Sequence, residues 1–208
     1  MSPINFRKLA VSLAMFAVVA LGSSAVAKAD SVYILTNSNF APGTNFGTVT
    51  THFNAGDNTI TVTVQLAPGY IIHGAGFGFN VVGDTAGLHI YDFNPAAFFQ
   101  EDLSAHNFDG YGSFAFSADS LQSTAQAVAS NTTSVTFTVS RDAGFSNDTQ
   151  LAQANGSGWF FAVQIAPTDG SATGFAAGVS SVPEPASMML LGTGLLGIAA
   201  GVRKRLRR

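Results

Sequence analysis

Four histidines, eleven acidic residues between Asp30 and Val182 and a large store of Ser and Thr are the groups available for chemistry in this chain, and cysteine is absent. The histidines are His52, His73, His89 and His106. None forms an HExxH pair or another close spacing that sets two ligands on one helical face. His52 and His89 fall inside expected strands, His73 and His106 in or near loops, and all four read as surface or strand-edge residues. Glu101 and Asp102 adjoin, with Asp92 and Asp109 on either side of a Phe-rich stretch. Two carboxyls facing each other across a sugar can hydrolyse a glycoside, but neighbours in sequence read more simply as a solvated loop. No Gly-x-Ser-x-Gly elbow marks a nucleophile. Gly74-Ala75-Gly76-Phe77-Gly78-Phe79 lacks the following helix that a phosphate-binding loop needs, and reads as strand. Asn54 to Asn58 and Ser146 to Thr149 are oxygen-rich enough to offer ligands to calcium. Neither matches an EF-hand loop, and Asx turns account for both. The reading is therefore of a chain with no catalytic residue, no metal site and no cofactor, calcium being the one candidate. Among the rings, Tyr70 and Tyr111 sit beside turn glycines and are the best exposed candidates for stacking on a sugar, whereas Trp159 alternates with core positions.

The clearest chemistry is chemistry done to the chain. Pro183 and Pro185 bracket Glu184. Proline fixes φ and biases the preceding residue to extended backbone, so this acidic tripeptide is a shape a processing enzyme can read. Met188 to Val202 follow without a charge, and then Arg203, Lys204, Arg205, Arg207 and Arg208. Fifteen helical residues span roughly 22 Å at about 1.5 Å each, short of a hydrocarbon core of about 30 Å. Such a span suits temporary residence in a bilayer, with the basic end held on the cytoplasmic side. At the other end, Arg7 and Lys8 precede an apolar stretch from Leu9 to Gly22, and small residues lead to Ala27-Lys28-Ala29. That is the pattern of a secretory signal peptide with an A-x-A site, cut before Asp30 or, alternatively, after Ala27. Both basic clusters belong inside, which puts the body outside the cytoplasm after export by the Sec machinery.

The three-part tail resembles the sorting tail of PEP-CTERM proteins, which exosortases handle in Gram-negative bacteria that make exopolysaccharide. The resemblance covers about the last 26 residues. It implies a membrane-embedded cysteine peptidase or transpeptidase acting near Pro183, Glu184 and Pro185, with the anchor removed. The body has a related character. Pro-Gly-Tyr, Gly-Ala-Gly-Phe-Gly-Phe-Asn, Asp-Gly-Tyr-Gly-Ser-Phe, Trp-Phe-Phe-Ala-Val-Gln-Ile and Thr-Gly-Phe occur in that order, and are similar to the ectodomains of many uncharacterised PEP-CTERM proteins.

Without its two ends the chain changes character. Residues 30–182 keep Arg141 as their single cation and have no lysine, so the eleven acids leave them near minus ten. That charge repels nucleic acid and anionic lipid and tolerates cations and neutral polysaccharide. The domain plan is a signal peptide at 1–29, an ectodomain at 30–178, a linker at 179–182 and a sorting tail at 183–208, with its motif at 183–185, apolar helix at 188–202 and basic end at 203–208.

The body must position whatever it displays with strands. Thr59 to Leu66 alternates without a break, with Ile60, Val62, Val64 and Leu66 on one face, and Val135 to Ser140 repeats the pattern. Phe77, Phe79 and Val81 alternate, and Trp159, Phe161, Val163 and Ile165 are expected to share one face. Further strands are expected near 32–35, 46–53, 88–93, 112–116 and 174–177. Helix is confined to one turn at Pro95 to Gln100 and two at Leu121 to Ala129. The expectation is an all-β, two-sheet sandwich of jelly-roll or Greek-key type. Its expected role is an exported surface or extracellular-matrix protein, transiently in the membrane through its C-terminal helix, with exosortase and exopolysaccharide as partners in a biofilm. A calcium-assisted carbohydrate-binding module is the alternative, and a secreted hydrolase the third reading.

Overall fold

The computed structural model describes residues 30–182 apart from 42, 44, 179 and 180. The expected signal peptide with Ala27 and Ala29, and the tail from Pro183 onward, lie outside the described residues. In chain order the strands are β1 (Ser31–Leu35), β2 (Asn37–Ser38), β3 (Gly47–Asn54), β4 (Thr59–Leu66), β5 (Tyr70–Phe79), β6 (His89–Asn94) and β7 (Phe99–Asp102). After them come β8 (His106–Phe108), β9 (Gly112–Phe114), β10 (Phe116–Ser120), the helix α1 (Thr124–Ser130), β11 (Ser134–Ser140), β12 (Phe161–Pro167), β13 (Gly174–Gly178) and β14 (Ser181–Val182). One six-stranded sheet runs β14-β1-β3-β4-β11-β6, the other β2-β13-β12-β5-β10-β7, and β8-β9 is a separate hairpin. Every paired strand is antiparallel to its neighbour.

Period-two patterning builds the first sheet as expected. Ile60, Val62, Val64 and Leu66 are buried while Thr61 and Thr63 are half-buried and Gln65 is exposed. Val135, Phe137 and Val139 repeat this on β11, where Phe137 faces Val62 and Thr136 faces Thr63. On the outer face the Thr63 and Thr136 hydroxyls meet at 3.1 Å. The inner faces of both sheets supply one core. Its centre is a block of rings: Phe77 lies 5.5 Å from Phe161 and 6.0 Å from Phe137, and Phe79 lies 5.9 Å from Phe137. Each such buried side chain contributes about 1.5–3 kcal/mol relative to exposure.

The second sheet is covered on its outer face as well. Phe108 and Phe114 of the hairpin, with Tyr111 between them, pack on Ala162 and Ala177. Further along, Ala127 of α1 packs on Ile71 and Ala166. Gly78 has no room for a side chain, since a Cβ there would come within 2.4 Å of the Phe108 ring. The helix is set by its caps. The Ser123 side chain accepts from Gln126 N and the Gln126 side chain from Ser123 N, and Asn131 ends it in the left-handed region at φ 50°.

The structure corrects several sequence readings. Trp159 precedes β12 and packs with Tyr111 on the outer face, so it does not share the face of Phe161, Val163 and Ile165. Tyr111 is buried, because its hairpin folds onto the sheet. His73 is buried inside β5, which starts at Tyr70 and is covered on both faces. Glu101 and Asp102 belong to strand β7, held by β10. Of the single turn expected over Pro95 to Gln100, the part at 95–98 is present, with Phe98 N donating to Pro95 O at 3.3 Å, while Phe99 and Gln100 pair in the strand. The segment expected as a linker ends in β14, where Val182 pairs with Val32 and Ser181 with Tyr33.

Candidate functional site

Two places gather polar groups, and a third gathers the ends of the domain. The first lies just beyond β7. Asp102 Oδ1 accepts from Ser104 N at 2.7 Å and Ser104 Oγ at 2.6 Å, and its Oδ2 lies 2.7 Å from His106 Nε2. The two Ser104 bonds, with the nearby imidazole, hold the Asp102 carboxyl at about 2, below its ordinary value. Burial pushes the carboxyl of Asp119, on the neighbouring strand β10, the other way. Ser104 Oγ is also 3.4 Å from His106 Nε2. A nucleophile relay needs the serine proton to go to one ring nitrogen while the carboxylate holds the other. Here hydroxyl and carboxylate meet the same nitrogen and the serine serves the carboxylate, so this cluster is an ordering device for the turn into β8. Sequence reasoning missed it: Asp102, Ser104 and His106 are spaced by two, but that spacing brings them together only through the turn between β7 and β8.

The other expected groups disperse. Glu101 and Asp102 are successive in a strand and so point to opposite faces, which prevents them from facing each other across a substrate. Glu101 Oε2 accepts from Ile90 N and ties β7 to β6. His89 Nδ1 stands 3.6 Å from the same oxygen, and His52 pairs with Asp30 at 2.6 Å. His73 has its Nδ1 3.3 Å from Thr124 Oγ1, and burial lowers its pKa. The oxygen-rich loops spend their groups on the fold, mostly on themselves, with Asp148 accepting from Ser31 N. Asp57 Oδ1 accepts from Thr59 N and Oγ1, and Asn54 Nδ2 donates to Thr59 and Thr61. Thr149 Oγ1 donates to Asn147 Oδ1. No group of three His, Cys, Asp or Glu able to hold a metal occurs among the described residues.

The second place is a shallow cleft of about 370 Å³ between the β8-β9 hairpin and the loop before Trp159. Asn80, Ser113, Phe114, Gln153 and Asn155 line it, and none of its lining residues is charged. Asn155 shapes one wall by donating to Tyr111 O and accepting from Ser157 N and Trp159 N. Arg141, the single cation of the body, is used elsewhere. It donates to the carbonyls of Gly144, Val82 and Asp84 at 2.7–2.8 Å and lies 4.4 Å above the Phe145 ring.

The third place is the corner where the domain begins and ends. Asp30 pairs with His52, Ser31 N donates to Asp148 Oδ2 at 2.8 Å, and β14 lies against the start of β1. The junction expected before Asp30 and the motif expected from Pro183 thus leave the fold side by side. Beyond this corner, the model of one family, the PEP-CTERM protein-sorting motif, matches residues 181–205. The chain carries a PEP-CTERM sorting motif. The match begins on the two residues of β14 and takes in Pro183, Glu184, Pro185, the apolar run, Arg203, Lys204 and Arg205. No curated protein and no solved structure matches the chain. The PEP-CTERM motif marks an exported protein whose sorting machinery is an exosortase. No helix among the described residues is long and apolar enough to cross a membrane.

Proposed function

We propose that this chain is an exosortase substrate displayed at the cell surface or in the extracellular matrix, where it associates with exopolysaccharide in a biofilm. The signal peptide takes the body through the inner membrane and is cut before Asp30. Met188 to Val202 hold the chain in the bilayer, with Arg203, Lys204, Arg205, Arg207 and Arg208 inside. The exosortase then reads Pro183, Glu184 and Pro185 and removes the anchor. The body is a β-sandwich of jelly-roll or Greek-key type, without catalytic function, that serves as the displayed material. The observation that carries this reading is the sorting motif running without a break from the last strand of a self-contained acidic domain. Export of the Glu184→Ala protein with its tail retained, against removal of the tail in the unaltered protein, is the expected result. Equal removal in both would sink the reading.

The charge-free cleft favours carbohydrate binding as a second reading. Amides and a hydroxyl with no charge beside them suit a neutral sugar, which would be spared the repulsion that the acidic surface imposes on anionic polymers. Neutral-glycan binding that survives a chelator and is lost in Gln153→Ala would support it, with no part for calcium.

A further inference from the structure

We infer that tail removal requires β14 to leave β1, so that the seating of this edge strand sets the rate at which the sorting enzyme reaches Pro183. The inference rests on the reading of the tail as an exosortase substrate. The ladder holds the chain up to the residue before the motif, since Val182 pairs with Val32 and Ser181 with Tyr33. The strand it sits on is firmly placed. All five residues of β1 pair with β3, Tyr33 and Leu35 are buried, and Ser31 is tied to Asp148.

Reach makes the seating matter. Five residues, 183–187, separate Val182 from the apolar run at Met188, and they extend to at most about 17 Å. An enzyme that takes its substrate as an extended strand uses the main-chain groups of several residues in a row. With β14 seated, both residues are held in register against β1 and one of the two has its main-chain groups in the ladder, so the enzyme has to work in the gap between sheet edge and bilayer. With β14 released, nine residues, 179–187, are available, and they reach roughly 30 Å. A pairing of only two residues opens easily, so the contact slows cleavage without forbidding it. After cleavage β14 returns to cover the edge of β1, which would otherwise be open to pairing with another chain.

The absence of cysteine gives a clean test. Val32→Cys with Val182→Cys places two thiols at facing positions, where an oxidising compartment can join them. Thr61→Cys with Thr138→Cys does the same on β4 and β11, away from the tail. Each full-length double variant is expressed in cells that process the unaltered protein, and tail loss is followed by mass. Cross-linking β14 to β1 is expected to slow tail removal by about tenfold or more, since only the opened pairing is cut. Reductant is expected to restore it, and the β4–β11 cross-link to leave it unchanged. Gly-Ser-Gly-Ser inserted after Val182 is expected to rescue the cross-linked chain. Equal cleavage with and without the Val32–Val182 bond overturns the inference. So does failure of that pair to join when the β4–β11 pair joins, or a cross-linked chain that stays uncut despite the inserted spacer. Retention of the tail by the unaltered protein is a different result, which removes the exosortase reading and this inference with it.

Discussion

From Asp30 to Val182 the chain carries eleven acids and one arginine, whereas its last six residues alone carry five basic groups. The body has a main core shared by two sheets, with two smaller clusters on the outer face of the second, and among its buried side chains His73 Nε2 and Ser117 Oγ have no hydrogen-bond partner. Asp57, Asp84, Asp102 and Asp169 hold turns, and Glu101 and Asp148 tie strands. The tail has its meaning residue by residue, in a glutamate between two prolines, an uncharged run and a basic end. The difference teaches that handling and stability are separable in this molecule. Changes in the tail should move the protein without unfolding it, and changes in the core should unfold it without altering the signal, the β14–β1 pairing being the one point where the two meet.

The largest expected effect tests the first half of that separation. Glu184→Ala should cause accumulation of tail-bearing protein in the membrane fraction, read by fractionation and mass. The unfolding free energy of the body should stay within about 0.5 kcal/mol of the unaltered protein, as for a substitution away from packed features. Phe137→Ala tests the second half. It empties the middle of the ring block and should cost about 3–5 kcal/mol in denaturant unfolding, with the sorting motif untouched.

Arg141→Ala is a smaller break within the body. Three backbone carbonyls lose their donor, and the expected cost is about 1–3 kcal/mol. Arg141→Lys should recover only part of it, because an ammonium lacks the planar fork. The smallest effect is electrostatic. Asp102 is held at about 2 against an ordinary 3.8. A depressed carboxyl adds stability that is present above its unfolded value and is lost as pH falls from about 4 towards 2. The raised carboxyl of Asp119 acts in the opposite sense, favouring the fold below its ordinary value and losing that contribution as pH rises. Asp102→Asn should therefore remove the acid-side loss due to Asp102 and leave the part of the Asp119 contribution that burial causes, as seen in thermal unfolding at stepped pH.

Much of the body was legible where one face of a strand meets the core. Ile60, Val62 and Val64, and Val135, Phe137 and Val139, could be read from alternation alone. The reading failed where a strand is covered twice. Ile71, Ile72 and His73 are all buried, so period two gives no guide to the start of β5. Gly74 and Gly76, at φ 57° and 59°, distort the backbone further. Trp159 was misplaced because its neighbours obey alternation and it does not: the strand starts after it, and the ring turns to the outer hairpin. The three-residue strands β8 and β9 are too short to carry a pattern. The Asp102 cluster depended on a turn whose path sequence does not specify. The tail was legible because its signal is local and needs no folding partner.

The intact mass of the protein recovered from cells and from medium tests the central claim most directly. The expected mass is that of a mature chain that begins at Asp30 and ends near Pro183 to Pro185, without the apolar run and the basic end. Full-length protein in the mature fraction, with residues 1–29 and 188–208 still attached, would contradict it.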